Sequence, residues 1–239
     1  KDIILNEVNK NGIFINDQLL DELDKNNLKK DLKKKKNNEI IEIDYEDEIK
    51  KVSDTLFNFL HRGYIRQFLT EYLGNDIKCT HLLFTRKKPE SKKKDSEYIE
   101  GGSVLGFHND DSGKQIKINI LLSDLSESSN GLEYAIASHK ISLLDRSIVS
   151  FLKIFGLFKN WSKHFINYQI NKIKGMRVNF MSEEKVKQKF KITKVFGKSG
   201  LIYIFDTNGF HRQATVENEN IFNSERELIT IYYNQKKLN

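Results

Sequence analysis

Gly106-Phe107-His108-Asn109-Asp110 is the stretch from which the rest of this chain can be read. Side chains alternate along an extended segment, so His108 and Asp110, two residues apart, point to the same side. They offer an imidazole and a carboxylate to one ion, and such a pair needs a third donor. His211, about a hundred residues further on, is the obvious one. Two histidines and one carboxylate on one face leave the opposite coordination positions open.

Outward from this stretch the chain reads as short strands. Gln115 to Leu122 (QIKINILL) alternates, with Ile116, Ile118, Ile120 and Leu122 on one face and Gln115, Lys117 and Asn119 on the other. That pattern predicts a half-buried strand. Ile77 to Arg86, Leu132 to Ala137, Phe190 to Phe196, Leu201 to Phe205 and Leu228 to Tyr233 predict further strands, and Ser126 to Gly131 predicts a turn. Lys87 to Gly102 is polar and Lys-rich and holds the only proline, Pro89, so it predicts a loop, either a lid over the His108 strand or a plain surface loop. Leu143 to Tyr168 is aromatic-rich with helical spacing, within an insertion over 141–189.

The opening third is predicted to be mainly helical. Gly12 to Ile15 reads as a short strand, followed by a helix carrying Leu19, Leu20, Leu23 and Leu28 with Asp17 as its N-cap. Residues 33–51 are dense in charge and read as an exposed loop and a helix start. Val52 to Leu60 and Ile65 to Leu73 give two amphipathic helices, the second closed by Gly74-Asn75. Helices first, then many short strands at close spacing, point to a β-sandwich or barrel.

Composition narrows the function classes. With 38% hydrophobic and 11% aromatic residues, the chain can bury a sizeable core. No run of about 18 apolar residues occurs, so no membrane partner is expected. The opening Lys1-Asp2-Ile3-Ile4-Leu5 lacks the regions of a signal peptide, and a lone cysteine, Cys79, cannot close an internal disulfide; a cytoplasmic location is the expectation. The net charge of +7 comes mostly from Lys, in runs such as Lys33 to Lys36 and Lys92 to Lys94, without the interleaved aromatics that stack bases. Nucleic acid is therefore not the expected partner.

The distal histidine adds a second element. His211 follows the strand-like Leu201 to Phe205 and a short loop, and Arg226 opens the last strand. An arginine on the strand after that histidine can reach past a metal and grip a dicarboxylic acid through two hydrogen bonds. Together with the triad, which is that of non-heme Fe(II) oxygenases, it points to 2-oxoglutarate, whose keto-acid end chelates iron and whose far carboxylate needs such a cation.

This order of elements resembles the phytanoyl-CoA dioxygenase-like Fe(II)/2-oxoglutarate oxygenases. Beyond the triad, Asn130-Gly131-Leu132 through Ser138-His139-Lys140 resembles the family's strand-and-turn, and Gly12 to Ile15 with its following helix resembles the family's N-terminal opening. Ala137 stands where that turn usually has Gly, and the fifteen-residue step from His211 to Arg226 is somewhat long for the family.

The resemblance implies a mainly β fold with flanking helices. Its core would be a double-stranded β-helix (jelly-roll, cupin-like), with N-terminal helices and a helical insertion. The whole of 1–239 would be one domain, with a helical part over 1–76, a β core over 77–140 and 190–239, and the insertion over 141–189. His108, Asp110 and His211 would be the catalytic metal ligands, with Arg226 the 2-oxoglutarate clamp and Gln213 a polar cosubstrate contact. The implied activity is a dioxygenase: Fe(II) with 2-oxoglutarate and dioxygen hydroxylates a small or medium-sized metabolite, including an anionic one, and 2-oxoglutarate leaves as succinate. Halogenating relatives have a small residue in place of Asp110, so hydroxylation, or a related desaturation or cyclisation, is the expected outcome. The alternatives are an oxygenase acting on nucleic acid, a non-catalytic binding protein on the same fold, and a basic adaptor without metal. Nucleic-acid-directed relatives show a second Arg six residues after the clamp, where this chain has Tyr232.

Overall fold

Strand alternation sets the layers. In β4 (Gln115–Leu121), β7 (Ile202–Asp206) and β9 (Arg226–Gln235), isoleucines recur two residues apart on one face. Ile116, Ile118, Ile120, Ile202, Ile204, Ile229 and Ile231 are all fully buried on one side of the sheet, in one cluster with the helices. Burying an aliphatic side chain of this size is worth about 1.5–3 kcal/mol, so this stripe is the main adhesive of the fold.

The structure is a computed structural model that describes residues 3–37, 39–87, 106–110, 114–129, 131–140, 182–214 and 226–235. Its helical part comprises α1 (Ile3–Asn11), α2 (Glu22–Lys33), α3 (Asp47–Val52), α4 (Asp54–Leu60) and α5 (Gly63–Leu73). Two strands, β1 (Ile13–Asn16) and β2 (Glu39–Glu42), are threaded among them. Then come β3 (Ile77–Lys87), β4, β5 (Leu132–Ala135), α6 (Glu183–Lys189), β6 (Ile192–Lys194), β7, β8 (His211–Gln213) and β9. A six-stranded antiparallel sheet runs β1-β7-β4-β9-β3-β2, and a three-stranded sheet runs β6-β5-β8. Helices cover the outer face of the large sheet. Ile13, Leu121, Tyr134, Val195, Tyr203, Phe205 and Leu228 pack together on its other face, where both sheets contribute. The architecture is the expected jelly-roll-like β core with flanking helices.

Local signals explain the helix ends. Ser53 accepts a hydrogen bond from the Leu56 N–H and starts α4, while Gly74, at φ 96°, ends α5 as its sequence position predicts. Three expectations need correction. Asp21, not Asp17, caps α2 through the Asp24 N–H. Residues 39–42, read as part of a charged loop, form the edge strand β2, paired with β3. The Gln115 to Leu122 strand is buried on both faces past its first residue, because its polar side looks into the space between the sheets. Residues 88–102 of the expected loop and 141–181 of the insertion lie outside the described residues. Among the described residues no helix is long and apolar enough to cross a membrane.

The turn after β5 carries an unusual backbone. Ala137 has φ 61°, the left-handed region that favours glycine, and its N–H donates to the Asn11 carbonyl at 2.8 Å. The turn holds Ser138, whose hydroxyl donates to the Ala135 carbonyl and accepts from the Phe210 N–H, both at 2.7 Å. This is how the strand leading to His211 is anchored. A left-handed L-residue costs about 1–2 kcal/mol, and glycine returns about 0.5–1 kcal/mol of that through its freer unfolded chain. Ala137→Gly should therefore raise stability by about 0.5–1 kcal/mol, read as a higher urea midpoint; a lower midpoint would show that the turn is not strained.

Candidate metal centre

His108 and His211 are joined through their backbones. The His108 N–H donates to the His211 carbonyl at 3.0 Å, and the His211 N–H donates back to the His108 carbonyl at 2.8 Å. The Asp110 N–H donates to the Thr207 carbonyl at 3.0 Å, which fixes the third residue against the loop before His211. That loop is itself tied down. The Asn208 N–H donates to the Asp206 carboxylate at 2.8 Å, and the Tyr72 hydroxyl donates to the same carboxylate at 2.5 Å. A Cβ on Gly209 would lie 1.9 Å from the Tyr134 hydroxyl, so only glycine lets the chain pass there.

The imidazole orientation is set by two short contacts. Nδ1 of His108 lies 2.7 Å from the Gly106 carbonyl, and Nδ1 of His211 lies 2.9 Å from the Gly209 carbonyl. A carbonyl only accepts, so each Nδ1 carries the proton and each Nε2 presents its lone pair inward. Nε2 of His108 is 3.8 Å from Oδ1 of Asp110, and Nε2 of His211 is 3.5 Å from Oδ2. The three donor atoms lie within 4.8 Å of one another, and both histidines are nearly fully buried. The three residues named from sequence spacing are thus brought together, and they can hold one metal ion.

Lys117 completes the group. It forms an ion pair with Oδ2 of Asp110. Burial raises the Asp110 carboxyl, but the Lys117 ammonium, with His211 and His108, outweighs it and holds the group well below the usual carboxylate range.

From the triad a cavity of about 320 Å³ runs between the sheets. His108 and His211 line it, as do Lys117, Asn119, Tyr203, Gln213, Arg226 and Thr230; none of its lining residues among those described is Asp or Glu. Arg226 is 8% exposed, so it opens the last strand facing inward rather than pairing at the surface. Burial pushes the Tyr203 phenol up to about 12, with the nearby Arg226 charge acting in the opposite direction. Thr230 donates to Oδ1 of Asn119 at 2.8 Å. The Asn119 Nδ2 and Gln213 Nε2 donors are buried without a hydrogen-bond partner among the described residues. A buried amide donor left unpaired is costly, so this end of the cavity is built for an acceptor-rich ligand. A dicarboxylate fits that chemistry. Arg212, by contrast, is tied to Glu133 at 2.6 Å and Glu183 at 2.8 Å, which fastens α6 to β8.

Sequence reasoning placed Lys117 and Asn119 only on the polar face of a half-buried strand, and it did not single out Arg212. The signal for Lys117 and Asn119 was the strict alternation of β4 seven residues after Asp110. It becomes informative once both faces of the strand are known to be covered.

No protein-family model matches the chain, and no curated protein matches it in sequence. Solved structures do match in fold. HygX from Streptomyces hygroscopicus, with nickel and 2-oxoglutarate bound, superposes with a TM-score of 0.58 at 12% identity over 99% of this chain and 87% of its own. AviO1 from Streptomyces viridochromogenes Tue57 gives 0.55 at 14% identity, over 97% and 93%. The epimerase SnoN, in complex with Fe3+, alpha ketoglutarate and nogalamycin RO, gives 0.55 at 12% identity, over 97% and 82%. The chain shares the fold of these proteins, two of which were solved with a metal ion and 2-oxoglutarate bound.

The depressed Asp110 carboxyl has a pH consequence. A group whose folded pKa is lowered contributes stability above its unfolded value, near 4, and loses it as pH falls through the folded pKa. Without metal, the wild type should be more stable than Asp110→Asn at pH 6–7, and the gap should narrow steadily below about pH 4. Paired urea titrations across pH check this; a gap that is constant with pH would mean Asp110 is not charged in the folded protein.

Proposed function

We propose that this chain is an Fe(II)- and 2-oxoglutarate-dependent oxygenase acting on a small molecule, within a single domain. The observation that carries the reading is the convergence of three donors, each imidazole locked with Nε2 inward, on a cavity that Arg226 also lines. His108, Asp110 and His211 are the iron ligands in this reading. Arg226 grips the far carboxylate of 2-oxoglutarate, and the idle amide donors of Asn119 and Gln213 complete its seat. Iron with 2-oxoglutarate supplies oxidation of a substrate C–H bond by dioxygen, giving hydroxylated product, succinate and carbon dioxide.

The chain's own part is geometry and exclusion of water. The triad side chains are largely buried, and the cavity walls are apolar where they are not donors, with Leu83, Leu132, Phe205 and Leu228 among the lining. Cationic side chains line the cavity and none of its described lining residues is a carboxylate, which suits an anionic ligand, and 2-oxoglutarate already meets that need. A small-molecule substrate is supported by HygX, solved with hygromycin B bound, and by SnoN, solved with nogalamycin RO. Asp110 occupies the carboxylate position, which favours hydroxylation. SnoN is described as an epimerase, so product analysis must separate hydroxylation from inversion.

His108→Ala and His211→Ala should each abolish stoichiometric Fe(II) binding and 2-oxoglutarate turnover while leaving the unfolding transition cooperative. Iron binding retained at wild-type affinity in either variant would overturn the ligand assignment. Arg226→Ala should weaken 2-oxoglutarate binding by about 2–5 kcal/mol, the cost of a lost charge-assisted contact. Arg226→Lys should recover part of it, since an ammonium cannot form the two-point grip. Unchanged affinity in Arg226→Ala, measured by calorimetry with Fe(II) under anaerobic conditions, would move the clamp elsewhere.

A further inference from the structure

Lys117 stands outside the roles above, yet it is held tightly beside the triad. Its strand register places it directly opposite Tyr232 on one side and Phe205 on the other. Nζ lies 4.8 Å from the Tyr232 ring centroid and 5.9 Å from that of Phe205. Beyond Tyr232, and in register with it, the His81 ring stacks at 3.8 Å. The row His81, Tyr232, Lys117, Phe205 therefore runs straight across four strands. It leaves the Lys117 side chain 9% exposed, with its ammonium on Oδ2 of Asp110.

A lysine is ordinarily a surface residue, and burying its charge is costly unless a partner is fixed beside it. Here two ring faces hold the ammonium by cation–π attraction, and the carboxylate it meets is itself fixed through the Asp110 N–H. The charge has nowhere else to go.

We infer that Lys117 is a positioning residue that holds one oxygen of Asp110 and keeps a fixed positive charge beside the metal, favouring Fe(II) over Fe(III). This rests on the iron reading above. Both oxygens face the histidines, Oδ1 toward His108 at 3.8 Å and Oδ2 toward His211 at 3.5 Å, and because Lys117 holds Oδ2, Oδ1 is the one left free to meet the metal. One-oxygen ligation leaves the open positions of the facial triad free for cosubstrate and dioxygen. The second effect is electrostatic. Loss of one electron from the metal adds a unit of positive charge within a few ångströms of the ammonium, and at that range in a partly buried site the repulsion is not screened away. Groups hydrogen-bonded to a metal ligand tune the metal in this way, and this one also carries a charge.

The test uses the full chain and three variants. Lys117→Met keeps an unbranched side chain between the two rings and removes the charge. Lys117→Gln keeps an N–H donor for Asp110 without the charge, so it guards against a folding defect in the first. Lys117→Arg keeps the charge. Each is loaded anaerobically with Fe(II) and titrated with ferricyanide and dithionite, which exchange one electron with the iron through mediators, while the Fe(III) spin-resonance signal is followed. The expected result is full iron loading in all, a midpoint potential lowered in the Met and Gln variants, and a value near wild type in the Arg variant. Iron-loaded Met and Gln variants with a midpoint at or above wild type would overturn the proposal and leave the iron site standing. A wild-type chain that takes up no iron would overturn the iron reading and this proposal with it.

Discussion

The paired backbone hydrogen bonds between His108 and His211 are the contact on which the rest of the site depends. They join two chain segments about a hundred residues apart and put two imidazoles side by side, with ring centroids 4.6 Å apart. Each ring is oriented by its own short contact, from Nδ1 to the carbonyl two residues earlier. The same local device is used twice, once on each side of the bridge. The loop before His211 is pinned from behind by Tyr72 and Tyr134, which hydrogen-bond Asp206 through its carboxylate and its carbonyl respectively. The helical layer thus reaches the site through α5: Tyr72 is both a core residue and a strut for the distal ligand.

The inward faces of β4 and β9 are where stability is exchanged for chemistry. Their outward faces are isoleucines packed under helices, whereas their inward faces carry Lys117, Asn119, Arg226 and Thr230, all of them buried. Buried polar groups of this kind weaken a core unless each finds a partner. Some are satisfied internally, as Thr230 is by Asn119 and Lys117 by Asp110. The donors left over, on Asn119 and Gln213, mark where a ligand completes the network. That division between satisfied and waiting groups gives the cavity a chemical direction, from the metal ligands toward Arg226.

Much of this was legible in the sequence, for reasons that can be named. The His108-x-Asp110 spacing places two donors on one side of any extended segment, and the chain is extended there. The β4 and β9 alternations are regular enough to fix which residues face the helices. Other elements carried too little signal. Helix α1 buries only Ile4 and Val8, so its apolar stripe is two residues long. Strand β2, Glu39 to Glu42, is an edge strand flanked by charges, and its alternation spans only four residues. Asp17 and Asp21 are equally good caps in composition; the fold chose the one four residues later, where the Asp24 N–H is in reach. Lys117 was hidden for a different reason. A lysine opposite an isoleucine stripe reads as solvent-facing, and only the second sheet turns that face into an interior. In the same way nothing in the residues around Ala137 announces that its backbone takes the left-handed conformation that favours glycine.

The central claim is that the three inward donors and the Arg226 end form one site, filled by a metal and a dicarboxylate together. Equilibrium dialysis of labelled 2-oxoglutarate against the full chain, under anaerobic conditions with and without Fe(II), tests this most directly. The account predicts one 2-oxoglutarate per chain, bound far more tightly when Fe(II) is present, because the keto acid then gains the metal as well as the arginine. Binding that is indifferent to Fe(II), or absent with it, would contradict the claim that these residues form a single iron and 2-oxoglutarate centre.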